Sequence, residues 1–305
     1  RIVSYEDWTR ELLALGEQAL AEARPLPAAY LFRMAEFFMP AEDPRKRPLR
    51  QRFLELVRRE HRVGDEAHHL IPYEQGLLSA YRFTPSSPMG RIVVFGGFDS
   101  CIEEWFPFGL ALRDHGLDVV AFDGPGQGES WFQGGLIVEF ERATSAVIDY
   151  LERLSQVDAS RLGVFGPSMG GYLGPRSAAC DTRIKACTFA GGMYDRTRVL
   201  NRLDDPFEFA RVSHIWKVYD KQKLVELHRK CTLEGLAPKI RCPLLVIHGT
   251  KDFVPVEQAK RIYDEASGPK EWVLLEGGNH VCNNMPHHYR PLVGDFLAKH
   301  LRALG

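Results

Sequence analysis

Gly166-Pro167-Ser168-Met169-Gly170-Gly171 follows the apolar run Leu162-Gly163-Val164-Phe165 and precedes a stretch with helical character. A G-x-S-x-G placed between strand and helix makes a sharp turn that lifts the serine hydroxyl above the sheet edge, and small flanking residues let the two elements approach. Ser168 then also sits at a helix N-terminus, where N–H groups and the helix dipole favour developing negative charge. The chemistry this suits is nucleophilic attack on a carbonyl carbon. A serine hydroxyl needs a neighbouring base to take its proton, and that base needs a third group to fix its tautomer.

Those partners are expected in the chain order acid, then base. His280, in Glu276-Gly277-Gly278-Asn279-His280, follows the last expected strand and precedes the C-terminal helix, with glycines that let its side chain reach Ser168. His287, His288 and His300 are weaker rivals because they fall in or near that helix. Asp252 follows Leu244-Leu245-Val246-Ile247 and stands at the carboxyl end of that strand; Asp195, after Gly191-Gly192, is the second choice. Acyl chemistry also needs two backbone donors for the oxygen that becomes negative. The N–H of Met169 is the first, and Phe98, in Gly96-Gly97-Phe98-Asp99-Ser100 after Ile92-Val93-Val94-Phe95, is the second, with Gly97 as its alternative.

The elements that must position these groups are legible as alternating apolar runs and helical stretches. Strands are expected at Leu78–Phe83, Arg91–Phe95, Leu117–Phe122, Arg161–Phe165, Ile184–Phe189, Pro243–Ile247 and Glu271–Leu275. Helices are expected near Phe108–His115, Leu136–Ser155, Met169–Cys180, Val256–Ala266 and Pro291–Leu304, although Pro175 should kink the helix after Ser168. This alternation means an α/β fold with a doubly wound, mostly parallel sheet, which binds ligands at the carboxyl ends of its strands. About 50 residues separate the expected strands at 184–189 and 243–247, too many for a structureless loop. They are expected to form a helical cap insertion, about 193–238, within a domain spanning 67–305. Residues 1–66 carry helical patterns punctuated by Pro25, Pro27, Pro40, Pro44 and Pro48, and read as an N-terminal helical domain.

Composition bounds the partners. Over 305 residues, 39 Lys and Arg balance 40 Asp and Glu, so no global positive field draws the chain to nucleic acid or to a membrane surface. The six cysteines lack any CxxC pair and read as reduced core thiols, and no signal pattern or span of about 20 apolar residues occurs. A cytoplasmic location is the expectation.

The motifs at 96–100, 123–128 (Asp-Gly-Pro-Gly-Gln-Gly), 166–171 and 280–284 (His-Val-Cys-Asn-Asn) together resemble the α/β hydrolases that carry an N-terminal helical domain. That group contains 2,6-dihydroxypseudooxynicotine hydrolase and fungal hydrolases that shorten polyketide chains. The resemblance implies an α/β-hydrolase fold, a pocket between helical domain and sheet, and cleavage of a ketone's carbon–carbon bond in a retro-Claisen manner. It also implies no cofactor; no metal site is expected. The expected partner is a small molecule, aromatic or polyketide-like, and a homodimer is admitted. A carboxylesterase or thioesterase is the alternative, followed by an acyltransferase and a non-catalytic binding protein.

Four further residues are pocket candidates. Glu36 lies in the apolar helix 30–39, which either packs in a core or lines an aromatic pocket; Arg33 is the other polar group within it. Asp99 either contacts substrate or, with the capping-box pattern Ser100-x-x-Glu103, starts the next helix. Tyr194 and Trp216 lie in or near the cap. The basic residues between Arg45 and Arg62 read as a solvated helix face, and Asp123 to Ser130 as scaffold.

Overall fold

Prolines divide the first sixty residues of the computed structural model into three helices: α1 (Tyr5–Ala21), α2 (Pro25–Phe37) and α3 (Lys46–Glu60). The structure describes residues 2–154 and 161–302. Two compact units emerge, Arg1–Ala67 and His68–Gly305.

In the first unit Ser4 caps α1 by accepting the Asp7 N–H at 3.1 Å, and Pro25 opens α2, where a missing N–H has no helical partner to lose. Gly16 on α1 leaves room for the Phe32 ring, which a methyl group there would strike. Trp8 Nε1 and Thr9 Oγ1 donate to the Met34 and Ala35 carbonyls, at 2.7 and 3.0 Å.

Glu36 is fully buried and serves as an ion-pair hub. Its carboxylate meets Arg33 Nη1 at 2.6 Å, Arg50 Nε at 2.5 Å and Lys46 Nζ at 3.1 Å. Burial raises its pKa, but these three cations outweigh burial and hold it at about 2. Lys46 also donates to the Glu36 and Met39 carbonyls at the end of α2, as a cation does at a helix C-terminus. The expectation of a solvated basic face therefore fails at Lys46 and Arg50, which are drawn inward by a buried charge. The structure gives Glu36 this ion-pairing role within the first unit.

The second unit is an eight-stranded sheet in the order β1-β2-β4-β3-β5-β6-β7-β8. Its strands are β1 (His68–Tyr73), β2 (Gly76–Phe83), β3 (Gly90–Phe95), β4 (Leu117–Phe122), β5 (Leu162–Pro167), β6 (Ile184–Ala190), β7 (Leu244–Gly249) and β8 (Lys270–Leu275). β1 and β2 form an antiparallel hairpin, β2 pairs antiparallel with β4, and the remaining neighbours are parallel. β3, β4 and β5 are buried at every position, as strands covered on both faces must be. The helices are α4 (Phe106–Asp114), α5 (Glu141–Glu152), α6 (Gly170–Cys180), α7 (Thr197–Leu200), α8 (Pro206–Trp216), α9 (Lys221–Lys230), α10 (Val256–Glu265) and α11 (Pro286–Leu301). This is the α/β-hydrolase architecture.

The structure departs from the expected elements in several places. β1 stands where no strand was expected. The helix expected from Leu136 begins only at Glu141, because Leu136 instead donates its N–H to the Ile215 carbonyl at 2.9 Å. The final helix starts earlier, at Pro286, and continues through Pro291; α6 likewise passes Pro175 unbroken. The expected helix ends at 155 and 304 lie outside the described residues. All six cysteines are free, but Cys180 is exposed and is no core thiol. Among the described residues, no helix is long and apolar enough to cross a membrane, and no cluster of His, Cys, Asp and Glu could hold a metal.

The insertion between β6 and β7 carries α7, α8 and α9. Its two ends pair at the neck, where Asp195 bridges Thr232, Leu233 N–H donates to the Tyr194 carbonyl at 2.9 Å and Arg196 N–H to the Cys231 carbonyl at 3.1 Å.

Removing the charge of Glu36 leaves buried cations without an anion. Glu36→Gln is expected to destabilise the protein by about 3–5 kcal/mol in urea unfolding, whereas the exposed Glu42→Gln should change it by less than about 0.5 kcal/mol.

Candidate active site

Ser168 follows β5 with φ +58°, a left-handed conformation that side chains other than glycine seldom adopt. Two bonds hold it there: its N–H donates to the Ala190 carbonyl at 2.8 Å, and its carbonyl accepts the Gly171 N–H at 2.8 Å. The surrounding glycines are needed for closeness. A side chain at Gly166 would strike the Gly170 backbone, and one at Gly171 would meet Gly192.

His280 Nε2 stands 2.7 Å from Ser168 Oγ, and its Nδ1 2.7 Å from Asp252 Oδ1. Asp252 also accepts the Val254 and Val281 N–H groups, at 2.9 and 3.1 Å. Burial raises the Asp252 pKa, but the His280 hydrogen bond and charge, with the two N–H donors, bring it below the ordinary value. An ionised carboxylate only accepts, so His280 carries its proton on Nδ1, and Nε2 is left to accept the Ser168 hydroxyl hydrogen.

Local structure fixes this imidazole. His248 bonds the Val254 carbonyl through Nε2 at 3.0 Å and steadies the loop that carries Asp252. Val281 and Cys282 adopt φ +60° and +55° directly after His280. Asn279 and Asn284 exchange side-chain-to-backbone hydrogen bonds at 2.9 and 3.2 Å, and Asn284 Nδ2 donates to the Gly277 carbonyl at 3.0 Å. The exposed Phe253 ring lies 4.0 Å from the His280 ring.

The loop after β3 reaches the same point. Gly97 presses against Ser168, so that a Cβ there would lie 3.3 Å from the serine Cβ. Its N–H is already given to Ser100 Oγ at 2.7 Å. The N–H groups of Phe98 and Met169, by contrast, have no acceptor within the described residues. Gln127, buried after β4, holds this loop from beneath: its Nε2 donates to the Gly96 and Gly97 carbonyls at 3.1 and 2.8 Å, and its Oε1 accepts the Gly124 N–H at 2.9 Å.

The remaining expected residues divide. Ser100 does not cap the next helical turn, because its hydroxyl is engaged by Gly97; Asp123 takes the Ile102 N–H instead, at 3.0 Å. Asp99 pairs with Arg211 on α8 at 2.5 Å. Asp195 accepts from Thr197 N–H at 2.9 Å, a local turn away from His280. Tyr194 is buried in the core with its hydroxyl on Glu265 at 2.8 Å, and Trp216 is buried against His228. His287 and His288 lie in α11, their rings tilted against each other at 4.4 Å.

Sequence reading missed Gln127, Phe253 and, above all, Arg196. Arg196 is 4 % exposed, and its guanidinium lies 4.3 Å over the Phe98 ring while contacting the Met169 sulfur. His228, fully buried nearby, donates from Nδ1 to the Leu224 carbonyl at 2.8 Å; burial and then the Arg196 charge push its pKa down to about 4.

A family model described as serine aminopeptidase, S33, matches residues 86–204. The 2,6-dihydropseudooxynicotine hydrolase of Paenarthrobacter nicotinovorans is 29% identical over 305 residues, covering 96% of this chain and 80% of that protein. Hydrolase acrC of Aspergillus aculeatus is 31% identical over 337 residues, covering 85% of this chain and 77% of its own. The crystal structure of 2,6-dihydroxy-pseudo-oxynicotine hydrolase superposes with a TM-score of 0.79 at 25% identity, covering 97% of this chain and 87% of that one. A sheet of this topology and relatives named as hydrolases throughout define an enzyme, a hydrolase of the α/β type. More narrowly, the chain belongs to the α/β-hydrolase family that includes hydrolase acrC and resembles the pseudooxynicotine hydrolase.

Two outcomes are expected from these contacts. Gln127→Leu strips three backbone groups of their partner and should lower turnover of a p-nitrophenyl ester by roughly tenfold or more, measured as kcat at saturating ester, as misplaced oxyanion donors do. The His228 imidazole titrates near 6.5 in the unfolded chain and about 4 in the folded one. The stability it contributes is therefore present above pH 6.5 and lost as pH falls through about 4, a swing on the order of 3 kcal/mol. Unfolding measured from pH 7 to 4 should show a shallower loss in His228→Leu.

Proposed function

We propose that Ser168, His280 and Asp252 are nucleophile, general base and orienting acid, and that the Phe98 and Met169 N–H groups bind the oxyanion. The observation that carries this reading is the hydrogen-bonded run from Asp252 through His280 to the Ser168 hydroxyl, next to two backbone donors with no other acceptor. The substrate we infer is a ketone whose carbonyl stands β to a second carbonyl, aromatic or polyketide-like, and the bond cleaved is carbon–carbon. The relative from Paenarthrobacter is named for hydrolysis of a pseudooxynicotine, which supports a medium-sized aromatic substrate.

His280 takes the Ser168 proton as Oγ attacks the carbonyl carbon, and the carbonyl oxygen becomes an anion held by the two N–H groups. Collapse re-forms the C=O and breaks the carbon–carbon bond. The bonding pair leaves with the carbon next to the second carbonyl, as an enolate, and His280 returns its proton to that carbon. Water, deprotonated by His280, then releases the acyl group from Ser168 as a carboxylic acid. One water is consumed, and one acid and one ketone are formed.

Ser168→Ala should abolish labelling by a fluorophosphonate probe and lower β-diketone turnover by a factor on the order of 10⁴ or more. An adduct that survives the substitution sinks this nucleophile. A wild type that hydrolyses p-nitrophenyl esters but no aryl or alkyl 1,3-diketone is an esterase and sinks the carbon–carbon assignment.

A further inference from the structure

Among the described residues of the second unit, the Arg196 guanidinium is a cation that burial leaves without an anion. No carboxylate lies within ion-pairing distance of it among the described residues, and its Nε is buried without a hydrogen-bond partner. The acid that could serve it, Asp99, is taken by Arg211, which is itself also bonded to Glu208 at 2.7 Å. The other groups around it do not supply a charge. Cys231 is held as a neutral thiol because burial pushes its pKa up to about 11, and the Tyr172 hydroxyl and the His228 imidazole are neutral too. Met169 Sδ, its one hydrogen-bonded contact through the side chain, is a thioether and a weak acceptor. The guanidinium itself stays charged: burial lowers its pKa only to about 10.

Its placement is as informative as its isolation. Arg196 is held at the neck of the insertion by its backbone bond to Cys231, against the side chains of both Met169 and Phe98. Those are the residues that follow Gly97 and Ser168, and their N–H groups have no acceptor among the described residues. A buried cation that lies against both residues proposed to hold the oxyanion, with a donor unused, suits a second substrate oxygen that turns negative near the first.

We propose that Arg196 binds the second carbonyl oxygen of a β-dicarbonyl substrate and stabilises the enolate on that oxygen when the carbon–carbon bond breaks. This rests on the proposed carbon–carbon cleavage. The electron pair of the broken bond delocalises onto the oxygen facing Arg196, and it returns to carbon when His280 delivers its proton. No covalent bond to Arg196 forms. An ester presents no oxygen at that place, since its leaving atom is the scissile oxygen itself.

The test compares kcat/KM of wild type, Arg196→Leu, Arg196→Gln and Arg196→Lys on benzoylacetone and on p-nitrophenyl butyrate, with thermal unfolding of each. The expected result is a loss on the diketone that exceeds the loss on the ester by at least thirtyfold in the Leu and Gln variants, mostly in kcat, with partial recovery in Arg196→Lys. The unfolding midpoint should stay level or rise, because a buried unpaired charge has been removed. Equal losses on both substrates, or a midpoint lowered by several degrees with no substrate discrimination, overturn the role and make Arg196 a packing residue. Wild type that labels with fluorophosphonate and cleaves the ester but not the diketone instead overturns the carbon–carbon reading beneath it.

Discussion

Ser168 holds a left-handed backbone that costs a residue with a side chain roughly 1–3 kcal/mol, and much of the second unit is arranged around keeping it there. Its N–H is tied to β6 and its carbonyl to the first turn of α6, so both flanking peptides are over-determined. Because the turn is that tight, Gly166, Gly170 and Gly171 leave no space for side chains, and α6 lies close against β5 and the exit of β6. Gly97 can then touch the serine, so the loop after β3 and the turn after β5 meet at Ser168.

The same principle governs the imidazole. Val281 and Cys282 adopt left-handed conformations, and the strain is contained by the Asn279–Asn284 exchange and by the Val281 N–H bonded to Asp252. Asp252 thereby does two things with one carboxylate: it fixes the His280 tautomer through one oxygen and the loop that presents His280 through the other. A neutral amide could fill the space but would not reproduce both acceptor contacts.

The parallel strands from β3 to β7 were readable in the sequence because strands covered on both faces are largely continuous apolar runs, and the edge strand β8 through its shorter run Trp272-Val273-Leu274-Leu275. Ser168, Asp252 and His280 were readable because each follows such a run with turn residues of the right type, and the structure places all three within hydrogen-bond reach. β1 was not readable: His68-His69-Leu70-Ile71-Pro72-Tyr73 has one buried position, and its pairing with β2 supplies the order that its composition lacks. The neighbours of Glu36, Tyr194 and Trp216 were not legible, for a common reason. A polar or aromatic residue in an apolar segment signals that something must satisfy it, but whether that is a neighbouring Arg33, Glu265 or His228, or a ligand, is a tertiary fact. Gln127 and Arg196 escaped for the converse reason, since one looks like part of a turn and the other like one arginine among many.

Glu36 and Arg196 show how the chain treats buried charge in two ways. Glu36 is surrounded by three cations, so its ionisation is satisfied within the fold, and the arrangement is complete without a ligand. Arg196 is surrounded by a thioether, an aromatic face, a neutral thiol and a neutral imidazole, and its nearest acid is committed to Arg211. An isolated buried charge opposes folding, and this chain keeps one at the neck of the insertion, against the side chains of Phe98 and Met169, which is why a catalytic role was proposed for it. The strand ends hold the reacting groups through backbone geometry, which any chain of this topology can share. The insertion adds a side-chain charge, which is particular to its own sequence, and on the proposed reading the reaction type belongs to the sheet and the choice of substrate to the neck residues.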